Sequence, residues 1–316
     1  MRSYMEYSVI IPVYNEEGNL DLLYEKLLGG LRQLKGDAEI LFVDDGSSDS
    51  SFADLTRLAK ADKRITVIRF GRNFGKSAAM TAGFKASTGK ILINLDADLQ
   101  DDPTEIPRMV AKLHEGFDFV IGWRKIRHDP IDKTWPSKIF NSVVSKWSGV
   151  PLHDFNCGFK VYRRAVLEDI PLYSDMHRLL PLLAAKRGFM VAELAVEHHK
   201  RHAGVSKYGM GRTIRGLLDF VSVLFLTTYL ARPMHFFGSF GFVSIVFGCI
   251  TGLWMLVLKF GFSVHFVNTP LPLVTVFLIV IGIQFILLGL IAEMLTRTYH
   301  EMQDKPTFRI AEKIHY

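Results

Sequence analysis

Ile91-Leu-Ile-Asn-Leu-Asp-Ala-Asp-Leu-Gln100 is a short apolar run, of strand length and composition, that ends in two carboxylates one residue apart. On an extended strand end Asp96 and Asp98 flank Ala97 and point the same way. Two convergent carboxylates at the exit of a buried strand suit a hard divalent cation that keeps several ligand positions free for phosphate oxygens. An isolated Asp-x-Asp is equally explained by an N-cap followed by a solvated loop residue, so its meaning depends on the surrounding segments.

Two upstream segments repeat the pattern. Ser8-Val-Ile-Ile-Pro-Val-Tyr-Asn-Glu-Glu17 runs from an apolar strand into polar residues, then into a helix with Leu20, Leu23, Leu27, Leu31 and Leu34 on one face. Glu39-Ile-Leu-Phe-Val-Asp-Asp-Gly-Ser-Ser-Asp-Ser50 is again a strand ending in paired acids, followed by a turn rich in N-cap residues. In an open parallel sheet such carboxyl ends form the ligand crevice. Continuing along the chain, strands are predicted near 8–13, 40–43, 66–70, 91–95, 117–122, 158–162 and 191–197. Helices are predicted over 19–34, 51–60, 76–86, 103–114, 131–147 and 174–186, an α/β arrangement.

The length of 316 residues allows one large domain or two small ones, and a formal net charge of +6 is only mildly basic. With no wider basic field, nucleic acid is not an expected partner. A mean hydropathy of +0.18 conceals a split. No Asp, Glu, Lys or Arg lies between Arg232 and Lys259, and none between Lys259 and Glu293. Both gaps exceed the roughly 20 residues that cross a bilayer as a helix. Two transmembrane helices are expected, near 234–257 and 270–292, and their length and apolar content favour this over a buried core hairpin.

The connecting loop carries one basic residue, Lys259. Arg212, Arg215 and Arg232 precede the first span, and Arg297, Lys305, Arg309 and Lys313 follow the second. Both termini are therefore expected on the cytoplasmic side. Met210 to Ala231 reads as an amphipathic helix lying in the membrane interface, which would hold the ligand crevice close to the headgroups. The expected division is 1–209, 210–232, 233–293 and 294–316. No apolar stretch precedes the first strand, so no signal peptide is expected. Cys157 and Cys249 fall in the soluble portion and the first span, and no disulfide is expected between them.

Ile11-Pro12-Val13-Tyr14-Asn15-Glu16, Val43-Asp44-Asp45-Gly46-Ser47-Ser48-Asp49, Asp96-Ala97-Asp98-Leu99-Gln100 and Asn156-Cys157-Gly158-Phe159-Lys160, in this order, resemble the family 2 glycosyltransferases of the GT-A fold. Within that family the chain is similar, over nearly its whole length, to the membrane-anchored polyprenyl-phosphate glycosyltransferases, which include GtrB-type enzymes and dolichol-phosphate mannose synthases. The resemblance implies a Rossmann-like, mostly parallel sheet followed by the interfacial helix and the two spans.

It also implies roles for particular residues. Asp44 and Asp45 would hold the donor nucleoside, with Pro12, Tyr14 and Glu16 lining the same pocket. Asp96, Asp98 and Gln100 would bind the metal, Mg²⁺ or Mn²⁺, and the diphosphate. Lys76 could approach the donor, although a helix-start turn explains the preceding Gly75 as well. Asp154 matches the proposed catalytic base. A phosphate monoester has a second pKa near 6, so little proton removal remains at neutral pH, and Asp154 is expected mainly to position the acceptor site. Arg124, in a Gly-x-Arg element, and Lys138 suit the acceptor phosphate. Arg201, Ser206 and Lys207 belong to a loop that the resemblance assigns to closure over donor diphosphate or acceptor phosphate. A basic juxtamembrane stretch also contacts anionic lipid headgroups.

The expected reaction is inverting, metal-dependent transfer of a hexose from a nucleotide sugar to a polyprenyl phosphate such as undecaprenyl phosphate. UDP-glucose is the first choice of donor, with GDP-mannose and UDP-4-amino-4-deoxyarabinose open. A processive polysaccharide synthase lacks its Gln-x-x-Arg-Trp element here. Acids at 44, 45, 96, 98 and 154 argue against an inactive scaffold. A haloacid-dehalogenase-like phosphatase places its Asp-x-Asp on the first strand, and a receiver domain would leave the later acids and the anchor unexplained. The expected location is the inner membrane, with self-association open.

Overall fold

Strand β1 (Tyr7–Val13) is buried at six of its seven positions, because it pairs on both sides and helices cover both faces of the sheet. Parallel neighbours flank it: β2 (Ala38–Asp44) on one side and β4 (Ile91–Asn94) on the other. Beyond β2 lies β3 (Ile65–Arg69), also parallel. Beyond β4 comes β6 (Lys160–Arg163), antiparallel to both β4 and β5 (Phe119–Trp123), and β7 (Val191–Ala195) closes the far edge parallel to β5. The order is β3-β2-β1-β4-β6-β5-β7.

The chain thus walks from β1 outward to β3, then returns to β4 on the opposite side of β1. That reversal makes the carboxyl ends of β1 and β4 the topological switch point, where connections leave in opposite directions and a crevice opens. The computed structural model describes residues 5–125, 141–142, 144–145, 150–170, 176–199 and 233–303. They fall into two compact units divided between residues 223 and 224.

All seven predicted strands are present within a few residues. The helices α1 (Leu20–Leu31), α2 (Ser51–Ala61), α3 (Lys76–Ala86) and α4 (Ile106–His114) also occur where predicted. In α1, Leu20, Leu23, Leu27 and Leu31 are buried, whereas Leu34 lies past the helix and is half-exposed. There the chain tightens into i→i+3 bonds, Gln33 N to Gly30 O (3.2 Å) and Leu34 N to Leu31 O (3.0 Å). A short helix α5 (Ala165–Asp169) was not predicted. The predicted helix over 174–186 is a 3₁₀ turn, Met176–Arg178, and then α6 (Leu180–Lys186), which starts afresh with Pro181 in its first turn. Residues 141–142 and 144–145 are helical. The rest of the 131–147 helix, the 210–231 helix, Lys138, Arg201, Ser206 and Lys207 lie outside the described residues.

One polar knot fixes α1 and α2 to the sheet. Asp62, at the end of α2, accepts from Tyr24 Oη of α1 (2.7 Å), from Arg64 Nη2 (2.7 Å) and from the Arg64 backbone N–H (2.9 Å). The hydrogen bonds from Arg64 outweigh the cost of burial and hold the Asp62 carboxyl well below the usual carboxylate range. A depressed folded-state pKa contributes stability that is present above the unfolded value and lost as pH falls through the folded one. Asp62→Asn is therefore expected to cost about 2 kcal/mol at pH 7. The gap between the two proteins, read by thermal unfolding, should narrow steadily below about pH 4. A pH-independent gap would assign the loss to geometry alone.

The second unit is a helical hairpin, α7 (Pro233–Phe262) and α8 (Leu271–Gln303). Glycines let the two backbones approach: a Cβ built at Gly282 would lie 2.7 Å from Gly241 O, and one at Gly241 would lie 2.6 Å from Gly282 O. Thr251 and Thr275 hydroxyls meet across the seam at 3.0 Å. The apolar windows have mean hydropathies of 2.2 and 2.8 and are only 11% buried, so both helices are long and apolar enough to cross a membrane and turn apolar side chains outward. The first contains the predicted span 234–257, and the second begins at Leu271, one residue inside the predicted start at 270, and runs past 292.

Candidate active site

Two loops at the carboxyl edge are laced together. Asn15, in the left-handed region at φ +52°, donates its N–H to Ser47 Oγ (2.9 Å) and accepts from Ser48 N (2.8 Å) through its side chain. Glu16 N donates to Ser51 Oγ (2.8 Å), and Ser50 N to Glu17 Oε2 (3.0 Å). Short polar side chains after both strands thus replace the ladder with side-chain-to-backbone bonds. Pro12 and Tyr14 are half-exposed along this edge, and Glu16 is buried, accepting from Asn19 Nδ2 (2.8 Å).

Asp44 and Asp45 differ in what they have left to offer. Asp44 is fully buried; Oδ1 accepts from Ser47 N (2.9 Å), while Oδ2 lies 3.3 Å from Arg69 Nε without a hydrogen bond. That oxygen is a buried acceptor with capacity for a ligand donor. Asp45 spends both oxygens on the backbone, Oδ1 on Phe74 N (2.7 Å) and Oδ2 on Gly75 N (2.9 Å). Burial pushes its carboxyl up against those two donors. Asp45 therefore clamps the turn that leads into α3.

The β4 ladder ends at Asn94, so Asp96 and Asp98 stand in the turn after the strand rather than on its pleat. Leu99 takes φ +59° and is nonetheless buried, its packing offsetting a conformation that costs a leucine of order 1–3 kcal/mol. The Asp96 side chain is 34% exposed and pairs with Lys76 Nζ, from the first residue of α3. Asp98 is 8% exposed and accepts from Gln100 N (3.2 Å). The Gln100 carbonyl accepts from His199 N (2.8 Å), which ties this turn to the segment following β7. Asp96 packs against Gly158, where a Cβ would come within 2.7 Å of its Cγ, so a larger residue there would displace the Asp96 carboxylate.

Two residues that the sequence reading did not single out complete the cluster. Lys160 is buried and donates to His177 O (3.1 Å). Burial, then the Lys76 ammonium, push it down to about 8, against the pull of Cys157, Asp96 and Asp154. Asp101 is buried and pushed up to about 7 by burial and by Asp96, Asp98 and Asp154, with Arg124 opposing. For Asp96 itself, burial favours the neutral acid, but Lys76, Lys160 and Arg124 prevail and hold its carboxyl low. Asp101-Asp102-Pro103 reads as an N-cap pair. Asp102 takes that role, accepting from Thr104 N (3.0 Å), while Asp101 lies inward with Cys157 Sγ at 3.8 Å.

Arg124 and Asp154 form a two-pronged pair, Nε to Oδ2 at 2.8 Å and Nη2 to Oδ1 at 3.2 Å, with the Asp154 side chain only 1% exposed. Asn156 N also donates to Asp154 Oδ1 (3.2 Å). Asp154 and its neighbours raise the Arg124 pKa against the cost of burial, so the guanidinium stays charged. The structure brings Arg124 and Asp154 together, and electrostatic influence links Arg124 to Asp96 and both to Asp101. Asp44 and Asp45 join the same edge through the clamp on α3.

Among the described residues, no three His, Cys, Asp or Glu side chains converge as a closed metal cage. Asp96 and Asp98 offer hard oxygen donors only, the first of them packed against Gly158. Such a set fits Mg²⁺ or Mn²⁺, which take few protein carboxylates and complete their shell with phosphate and water.

Residues 8–171 match the model of Glycosyl transferase family 2. A dodecaprenyl-phosphate galacturonate synthase of Rhizobium johnstonii is 35% identical over 316 residues, covering 98% of this chain and 93% of the relative. An undecaprenyl-phosphate 4-deoxy-4-formamido-L-arabinose transferase of Pseudomonas fluorescens is 35% identical over 309 residues, covering 97% of this chain and 89% of the relative. Among solved structures, glucosyl-3-phosphoglycerate synthase from Mycobacterium tuberculosis, in complex with Mn²⁺ and UDP-glucose, aligns with a TM-score of 0.54 at 18% identity over 70% of this chain and 79% of that one. That likeness concerns the fold, which is of GT-A type. With strand-end acids at the switch point, a matching family model and relatives alike from end to end, the chain is an enzyme that belongs to glycosyltransferase family 2.

Proposed function

We propose that this enzyme transfers a sugar from a nucleoside diphosphate to a polyprenyl phosphate held in a membrane. The observation that carries the reading is the seat of Asp96 and Asp98 at the β1/β4 switch point, among Lys76, Lys160 and Arg124. Cations and acids in that arrangement suit a diphosphate leaving group and an anionic acceptor. The relatives named above act on polyprenyl phosphates, and the α7–α8 hairpin would keep the catalytic unit at the bilayer that holds such lipids.

In this mechanism Asp44 accepts from a donor hydroxyl or base N–H, and Pro12, Tyr14 and Glu16 border the nucleoside. A phosphate oxygen of the acceptor attacks the anomeric carbon. The bond from that carbon to the diphosphate breaks, its electron pair passes to the leaving phosphate oxygen, and configuration inverts. A divalent ion held by Asp96 and Asp98, with Gln100 beside them, would supply charge neutralisation for the leaving diphosphate. The acceptor needs little deprotonation, so Asp154 acts by fixing the Arg124 guanidinium for the incoming phosphate. Lys138, Arg201, Ser206 and Lys207 take the acceptor-phosphate roles that the resemblance implies.

The donor choice shifts with the relatives. UDP-glucose gains no support from them, since their names carry galacturonate and 4-deoxy-4-formamido-L-arabinose. A UDP-linked sugar of one of these two kinds is the preferred donor. The same reading sets the catalytic unit and both termini on the cytoplasmic side of the inner membrane. Membranes containing the protein should be incubated with labelled UDP-galacturonate, UDP-4-formamido-arabinose, UDP-glucose and GDP-mannose, each with and without undecaprenyl phosphate. One of the first two is expected to give organic-extractable label that depends on the lipid. Label released only as free sugar would overturn the transferase reading.

A further inference from the structure

Lys76 is placed where a metal ion would have to work. Its ammonium pairs with Asp96, the more exposed of the two acids that would hold a divalent cation. Its position is set by the backbone, because Lys76 opens α3 immediately after Phe74 and Gly75, whose N–H groups are clamped by Asp45. Asp96 also packs against Gly158. A second buried ammonium, Lys160, acts on the same carboxylate.

Among the described residues, Asp96 lies under the influence of three cations, Lys76, Lys160 and Arg124, while Asp98, Asp101 and Asp154 crowd the same cluster with negative charge. A divalent cation entering alone would add two positive charges beside the ammonium groups that already act on Asp96. A nucleoside diphosphate entering alone would add negative charge beside an acidic cluster. Together the two cancel, and the diphosphate offers Lys76 an alternative partner, which frees Asp96 for the ion.

Building on the donor-site reading, we infer that Lys76 is the resident counter-ion of Asp96, a positioning residue that blocks metal binding until a nucleoside diphosphate draws it away. Metal and nucleotide then bind as a unit, and a chain without its donor does not hold the ion.

The test is Mn²⁺ binding by the full-length purified protein, read from the free-ion electron paramagnetic resonance signal, with and without UDP. Wild type is expected to bind Mn²⁺ at least about tenfold more tightly with UDP than without. Lys76→Met should bind Mn²⁺ without UDP at least about tenfold more tightly than wild type. Lys76→Arg should behave as wild type, and Asp96→Asn added to Lys76→Met should abolish the gain. The inference is overturned if Lys76→Met and wild type bind Mn²⁺ equally without UDP while UDP still promotes binding in both. It is overturned too if the gain survives Asp96→Asn. Failure of every protein to bind Mn²⁺ even with UDP would instead remove the donor-site reading, and this inference with it.

Discussion

Asp98→Asn is expected to lower kcat several hundredfold without lowering the melting temperature. The substitution removes one of two carboxylates that would hold the cation opposing charge on the leaving diphosphate. Two unit charges about 4 Å apart interact by roughly 4 kcal/mol at an effective dielectric near 20, and about 1.4 kcal/mol is a factor of ten in rate. Stability should not suffer, because an amide oxygen at this position can still accept from Gln100 N and the Asp98 charge is one of those that push Asp101 up. Steady-state kinetics and thermal unfolding of the same preparation check both halves. Retention of more than about a tenth of wild-type kcat would place the metal, and the leaving group, elsewhere.

The second large effect concerns the Arg124–Asp154 pair. Arg124→Met leaves the Asp154 carboxylate buried without its two-pronged partner. Breaking a buried ion pair from one side costs about 3–5 kcal/mol, and at roughly 2–4 °C per kcal/mol for a unit of this size the melting temperature should fall by about 6–20 °C. Adding Asp154→Leu should recover much of that loss, since an apolar pair of similar volume carries no stranded charge. Activity should stay absent in the double variant. That split separates holding the fold together from holding the acceptor phosphate. Asp154→Asn alone gives the complementary test: activity is expected to stay low from pH 6 to pH 9, whereas strong recovery at pH 9 would make Asp154 a proton acceptor.

The strands were legible because the runs at 8–13, 40–43 and 91–95 are apolar at nearly every position, which is what burial on both faces demands. The acids at their ends identified the edge that matters. What the sequence could not disclose was partnership. Lys76 meets Asp96 across 20 positions and Arg124 meets Asp154 across 30, pairings set by how helices and strands pack. The acid at Asp45 is visible in the sequence, but the return of Phe74 and Gly75 to its oxygens is a tertiary event. Asp101 carries no signal of its own in the sequence, since either acid of Asp-Asp-Pro could cap the following turn and only packing decides which caps and which is buried. The 174–186 helix broke because Pro181 removes a donor that a continuous helix would need.

The most direct test of the central claim is a product balance with purified protein in a bilayer containing undecaprenyl phosphate, supplied with the labelled nucleotide sugar that membranes accept. One lipid-linked sugar should form for each nucleoside diphosphate released, with anomeric configuration opposite to the donor's by nuclear magnetic resonance, and formation should stop with EDTA and with Asp98→Asn. Nucleoside diphosphate released without lipid-linked sugar, or equal product yield in EDTA, would contradict it.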